Sequence, residues 1–154
     1  MGSEESATEQ SGAASPAGEV ACGRPFRLPP PGELRLTARF PEGAPADQQM
    51  VTGTVRITAE EAVSGVAAAG ADAFLVRAGR VVTTALPQDA IGVRFALAAG
   101  ETTSVPATAS LVSCEPGGGP LPRGDYELYA QFVVTPDDGP PAPAFGGPWP
   151  LRVR

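Results

Sequence analysis

The residues that could do chemistry in this 154-residue chain are few, because it contains no histidine, no lysine and no asparagine. The lack of histidine excludes Ser-His-Asp and Cys-His nucleophiles and every histidine-ligated metal site. The lack of lysine excludes a P-loop. Two cysteines and a few neighbouring carboxylates remain, with serines such as Ser64 that have neither a G-x-S-x-G setting nor a histidine to activate them.

The two cysteines, Cys22 and Cys114, stand far apart and outside any C-x-x-C pair. Two thiolates alone do not make a structural zinc site, and the wide separation disfavours a redox pair. We therefore predict a Cys22–Cys114 disulfide, which implies an oxidising compartment. Two buried free thiols in a cytosolic protein are the alternative.

Two pairs of adjacent carboxylates are the remaining candidates, Asp137-Asp138 and Glu60-Glu61. Calcium needs six to eight oxygen ligands, and the EF-hand spacing is missing around Asp137. A glycosidase needs two carboxylates at a set separation, and nothing in the spacing selects such a couple. We predict solvated turns at these positions, with no catalytic residue, no cofactor and no metal.

Two segments could contact a partner. Residues 136–148 are rich in proline and glycine and predict an extended or polyproline-like loop. Within that loop, Asp137, Asp138 and Phe145 are the candidate partner-binding residues, although Phe145 could instead fold back over the edge of the domain. Residues 59–70 are alanine-rich, and Gly65 and Gly70 favour a loop with at most one helical turn.

The formal net charge is −6, and all eleven basic residues are arginines. Residues 1–21 hold four glutamates and no arginine, so the other 133 residues are nearly balanced, with thirteen acidic residues and eleven arginines. Such a balance leaves no basic surface for nucleic acid or anionic lipid. The chain contains no run of 18 apolar residues, so the sequence predicts no membrane-spanning helix.

The composition divides the chain in two. Residues 1–21 predict a disordered acidic spacer or an inert tail, and residues 22–154 a single domain. The first residues lack the positive and apolar regions of a signal peptide, and Glu19 stands where a lipoprotein signal needs an aliphatic residue. We expect a sequence that starts after a removed export signal, with the protein outside the cell or in its envelope. Membrane anchoring of a longer precursor stays open.

Alternation of apolar and polar residues is the dominant pattern after Gly32 and predicts half-buried strands. Pro106 indicates an edge or a bulge in one of them, and Gly79 supplies the positive φ of a tight hairpin turn. The predicted strands cover residues 33–40, 51–58, 73–77, 80–84, 91–97, 104–114, 125–134 and 149–154.

About eight short strands bury their apolar faces best when two sheets pack face to face. The sequence therefore predicts an all-β, immunoglobulin-like antiparallel sandwich of about seven to nine strands. The expected core consists of Leu34, Leu36, Phe40, Val51, Val55, Ile57, Phe74, Val76, Val93, Phe95, Leu97, Tyr126, Leu128, Phe132 and Trp149.

Residues 121–130, read as LPRGDYELYA, resemble the start of strand F in many immunoglobulin-like domains. The Gly124-x-Tyr126-x-Leu128 run is similar to the tyrosine corner, whose hydroxyl bonds nearby backbone. In antibody domains a cysteine follows two residues after that tyrosine. Leu128 stands there in this chain, so the antibody disulfide is absent.

A second resemblance covers about residues 51–134. The segments 52–58, 74–82, 97–102 and 121–126 follow an order similar to that of the bacterial intracellular proteinase inhibitors, which are immunoglobulin-like. The chain departs from that family in its cysteine pair and its acidic spacer. Exported lipoproteins of GC-rich bacteria look similar too. We predict a non-catalytic exported or cell-surface module that binds an unknown protein; the alternative is a proteinase inhibitor, for which stoichiometric inhibition of a protease would decide.

Overall fold

The structure, a computed structural model, describes residues 17–88 and 91–154, and these residues form ten β-strands and no helix. The predicted all-β class is confirmed. The predicted spacer lies largely outside the described residues. The strands are β1 (Leu34–Arg39), β2 (Gly43–Ala44), β3 (Met50–Ala59), β4 (Val63–Ala67), β5 (Ala71–Arg77), β6 (Arg80–Val81), β7 (Val93–Leu97), β8 (Thr102–Ser110), β9 (Gly124–Pro136) and β10 (Ala142–Val153).

All ten strands belong to one hydrogen-bonded sheet, in the order β1-β3-β8-β5-β9-β10-β2, with β4 joining β7 to β9 and β6 pairing with β5. The sheet is mixed, which corrects the antiparallel prediction. β5 runs parallel to β8, and β2 runs parallel to β10. Both pairs are only two residues long and join strands far apart in sequence, as parallel pairing requires.

The sheet curves into a half-barrel around the main core. Its curvature brings β1 against β10, where a methyl group on Gly146 would lie only 2.7 Å from the Leu36 carbonyl oxygen. Twelve of the fifteen predicted core residues are buried, and Phe40 and Trp149 are partly buried against the core. Val93 was predicted wrongly: it is 43% exposed at the first residue of β7, whereas Phe95 and Leu97, farther along the same face of the strand, are buried.

A second apolar cluster covers the outer face of β5 and β9. We call it the aromatic cluster: Phe26, Phe74, Val76, Val81 and Tyr129, with Val20 and Phe145 partly buried against it. Residues 18–29, which we call the N-terminal arm, supply Phe26. The Phe26 ring packs edge-on against Phe74 and Tyr129, with ring centroids 5.0 Å and 4.7 Å apart.

The two predicted contact loops are largely strand. β4 occupies the middle of residues 59–70, where a loop with at most one helical turn was predicted. β10 begins at Ala142, so only residues 137–141 connect it to β9. Alanine, glycine and proline carry little strand propensity, and pairing with β9 decides both conformations. The predicted 78–79 turn is confirmed, with positive φ at Ala78 and Gly79.

Candidate interaction surface

The predicted disulfide is present and fastens the N-terminal arm to the sheet. Cys22 and Cys114 are bonded, with their Cα atoms 5.9 Å apart. The arm also pairs with β6: the Gly23 N–H donates to the Val81 carbonyl oxygen at 2.8 Å, and the Val81 N–H donates to the carbonyl oxygen of Arg24 at 2.9 Å. These bonds hold Phe26 over the outer face of β5.

Phe145, a candidate interaction anchor in the sequence, folds back onto the domain. Its ring lies 5.8 Å from that of Phe26, centroid to centroid, at the border of the aromatic cluster. Of the two readings that the sequence left open, the structure shows the packed one. Phe145 therefore stabilises the contact between β10 and the N-terminal arm.

Asp137 closes the 137–141 turn onto the neighbouring strands. Both carboxylate oxygens accept hydrogen bonds from the Arg94 guanidinium, at 2.8 and 2.6 Å, and its N–H donates to the Ser64 carbonyl oxygen at 3.1 Å. The hydrogen bonds and charge of Arg94 hold the pKa of Asp137 below its usual range. Asp138, the next residue, stays exposed at the tip of the turn.

The two segments singled out in the sequence come together in space. β4, from residues 59–70, pairs with the end of β9 through Val66↔Thr135 and Ala67↔Val134. On its other edge β4 pairs with β7, where Val66 lies opposite Arg94. The β4 strand, the β7 strand and the 137–141 turn thus form one corner of the sheet.

Exposed apolar side chains concentrate at this corner. Val66, Ile91, Val93 and Val133, which we call the apolar corner, are 45%, 75%, 43% and 36% exposed. Val133 lies two residues from Thr135, the partner of Val66, and therefore points to the same outer face. A methyl group on Gly92 would lie 2.4 Å from the Val66 side chain, which places the 91–93 segment directly beside it.

β7 is also an open edge of the sheet. It pairs with β4, and no strand among the described residues pairs with its other side. Proteins commonly protect such edges with charges, prolines or bulges. The one charged residue of β7, Arg94, is already paired with Asp137. The edge therefore presents backbone hydrogen-bonding groups without an uncompensated charge to repel a further strand.

Of the other carboxylate pair named from the sequence, Glu60-Glu61, Glu60 forms an ion pair with Arg35 at the surface. Within residues 17–88 and 91–154, no group of three or more Cys, Asp or Glu side chains could hold a metal ion. In the same described ranges, no helix is long and apolar enough to cross a membrane.

Sequence reasoning missed most of the apolar corner, although Val133 had left a signal. Along β9 the outward positions begin with Asp125 and Glu127, and Val133 falls on the same alternation. An apolar residue at a predicted solvent position indicates a covered or contact surface. Val66 left no such signal in its alanine-rich stretch, and Val93 was assigned to the core.

Comparisons with known proteins do not identify the chain. No family model matches it, and no curated protein is similar to it in sequence. Several solved structures resemble its fold weakly, among them the following two. The putative ApaA protein from Bordetella pertussis has a TM-score of 0.44 and 20% identity, over 78% of this chain and 91% of that one. A β-glucosidase from Listeria innocua, the D270A mutant bound to laminaribiose, has a TM-score of 0.44 and 14% identity. That match covers 79% of this chain but only 16% of the glucosidase. The likeness is too distant to assign a family or an activity.

Proposed function

We propose that this protein is a non-catalytic, exported or cell-surface module that binds a protein partner through the apolar corner. One observation carries the proposal. Six large apolar side chains are exposed among the described residues, and four of them are the apolar corner. Val66 and Val133 share the outer face of the sheet, while Val93 lies opposite Ala67 on the other face of the β7 edge. Single exposed apolar residues are normal, whereas several of them gathered around an open strand edge indicate an interaction surface.

The open edge of β7 supports a particular mode of contact. An extended segment of the partner could add to β7 as a further strand, with main-chain hydrogen bonds supplying affinity and the flanking valines supplying specificity. Pairing of Arg94 with Asp137 favours this mode, because an approaching strand would meet a neutral ion pair.

An immunoglobulin-like scaffold and an extracellular location belong to the same proposal. The Tyr126 hydroxyl donates a hydrogen bond to the Pro122 carbonyl oxygen, which is the bond expected of a tyrosine corner. The Cys22–Cys114 disulfide suits an oxidising environment outside the cytosol.

The test is capture of binding proteins from the envelope and medium of the producing cells by immobilised Val66→Asp and Val133→Asp variants. Each places an unpaired charge in the contact, so we expect at least a tenfold loss of capture, about 1.4 kcal/mol or more. Leu28→Asp is the matched control, because Leu28 is 44% exposed and lies outside the corner.

Equal loss in the Leu28→Asp control, or capture unchanged in both corner variants, would overturn the proposal. We expect all three variants to have the same thermal unfolding temperature, which would show that the substitutions leave the fold intact. Substitution is a sharper test than deletion of residues 136–148, since that deletion would remove Phe145 and Gly146 from packed positions.

A further inference from the structure

A groove of about 450 Å³ opens beside the apolar corner, where the start of β5 lies against β8. Its walls are mostly aliphatic, with Met50, Leu86, Pro87, Ile91 and Pro106 among them. The volume falls in the range of about 300–1,000 Å³ that ligand sites occupy. Ile91 belongs to both the groove and the apolar corner, so the two surfaces are continuous.

Among the described residues that line this groove, Asp72 is the one with an ionisable side chain. It lies near the start of β5, where pairing with Thr108 on one side and Gln131 on the other fixes its backbone. Its Oδ1 atom accepts a hydrogen bond from the Gln88 amide at 2.7 Å. None of the salt bridges among the described residues involves Asp72.

A half-buried carboxylate that has an amide partner but no salt bridge to a described residue, set among aliphatic walls, has the chemistry of a site for an amphipathic cation. Lysine and arginine side chains combine a long apolar stem with a charged head. The stem would lie along Met50 and Ile91 while the head reaches Asp72. The electrostatic complementarity to a basic partner segment is local and comes from Asp72, since residues 22–154 hold only two more acidic residues than arginines.

We propose that this groove binds a lysine or arginine side chain of an extended segment of the protein partner, with Asp72 as the counter-ion. The proposal rests on the proposed function, because the partner segment would reach the groove from the apolar corner through Ile91. It adds what that function lacks, namely a basic residue in the bound sequence.

The test is a titration of the isotope-labelled protein with a blocked pentapeptide, Thr-Val-Lys-Val-Thr, followed through backbone amide NMR signals. A matched peptide with norleucine in place of lysine keeps the stem and removes the charge. We expect millimolar binding, with shifts at residues 70–72, 88, 91, 107 and 108. The norleucine peptide and the Asp72→Asn variant should each bind about fivefold more weakly, since an accessible ion pair contributes up to about 1 kcal/mol.

Glu127→Gln is the control, because it removes one carboxylate charge from an exposed position of β9 that does not line the groove, and should leave binding unchanged. Equal affinity for the two peptides, undiminished binding by Asp72→Asn, shifts on another surface, or no shifts at millimolar peptide would each overturn the proposal. The result is independent of partner capture. If the peptide does not bind in the groove but Val66→Asp still loses capture, only the groove proposal is contradicted. If the lysine peptide binds specifically but capture by Val66→Asp is unchanged, the proposed function is contradicted.

Discussion

The Tyr126 side chain joins three parts of the chain through one buried hydroxyl. The hydroxyl donates to the Pro122 carbonyl oxygen and accepts a hydrogen bond from the Arg77 guanidinium at 2.9 Å. The same guanidinium lies 4.8 Å from the centre of the Tyr126 ring. Tyr126 is only 3% exposed, so loss of the hydroxyl removes two partly buried hydrogen bonds.

We predict that Tyr126→Phe lowers the free energy of unfolding by about 0.5–1.5 kcal/mol, the net contribution of a typical hydrogen bond, because both bonds of the hydroxyl are lost. Urea unfolding at neutral pH measures the change. Tyr129→Phe is the matched control among the two tyrosines, since no hydrogen bond to the Tyr129 hydroxyl is found in the described part of the chain. An equal effect of the two substitutions would contradict the role assigned to Tyr126.

Two exposed aspartates carry the acid dependence that the structure supports. Hydrogen bonds from Arg152 lower the pKa of Asp125, and hydrogen bonds from Arg94 lower the pKa of Asp137. A lowered pKa in the folded state stabilises the fold above the unfolded pKa of about 3.9. That stabilisation is lost as the pH falls through the folded pKa.

We therefore expect the urea midpoint to fall as the pH is lowered from 5 to 2, and the fall to be smaller in Asp125→Asn than in the wild type. The effect is modest, because both ion pairs are exposed and screened by salt. Asp138→Asn, which removes an aspartate without an ion pair among the described residues, should follow the wild-type curve. If the urea midpoint of Asp125→Asn falls with pH as much as that of the wild type, the stabilising role of the pairing between Asp125 and Arg152 is contradicted.

The β4 strand is the element that assembles the apolar corner, and Gly65 allows it to lie against β9. A methyl group on Gly65 would stand 2.1 Å from the Thr135 carbonyl oxygen, far inside van der Waals contact. Backbone flanks the site, so the strand itself must move to make room. The spacing between β4 and β9 therefore depends on the absence of a side chain at this residue.

We predict that Gly65→Ala separates β4 and β7 from β9 and raises amide hydrogen exchange in both strands by at least tenfold. Partner capture should fall with it, because Val66 moves away from Val133. Gly139→Ala is the control: its new methyl would meet its nearest neighbour at 4.0 Å. Unchanged exchange in Gly65→Ala would show that β4 is not held by β9.

Alternation in the sequence was enough to place most strands but not to decide what covers them. Leu128 and Phe132 fall on the inner face of β9 as predicted, since period-two burial is a local property. Tyr129 was not among the predicted core residues but is buried, because the N-terminal arm covers its face. Such coverage depends on contacts between distant segments, which local patterns do not encode. β4 was missed for the same reason, as its alanines and glycine form a strand only beside β9.

At the scale of the whole molecule, the disulfide and the N-terminal arm complete the domain. The arm covers the outer face of β5, and Cys22–Cys114 holds it there across 92 residues of sequence. A disulfide that closes a loop of this size contributes about 4–5 kcal/mol in the chain-entropy description. The sequence predicted the bond from composition and number of cysteines, but not the aromatic cluster that it secures.

We predict that both cysteines resist alkylation in the producing cells until the protein is reduced. Thiols are alkylated at lysis under denaturing conditions, and the intact mass is read before and after reduction. Alkylation of both residues without reductant would place the protein in a reducing compartment. The intracellular proteinase-inhibitor reading would then take precedence over an exported module.

Contact at the apolar corner is the central claim, and crosslinking in the producing cells tests it most directly. A photo-reactive amino acid is placed at position 66 in one variant and at position 28 in another, two sites of nearly equal exposure. We predict one discrete protein adduct from position 66 and none from position 28. The same pattern of adducts from both positions, or none from position 66, would contradict the assignment of this corner as the binding surface.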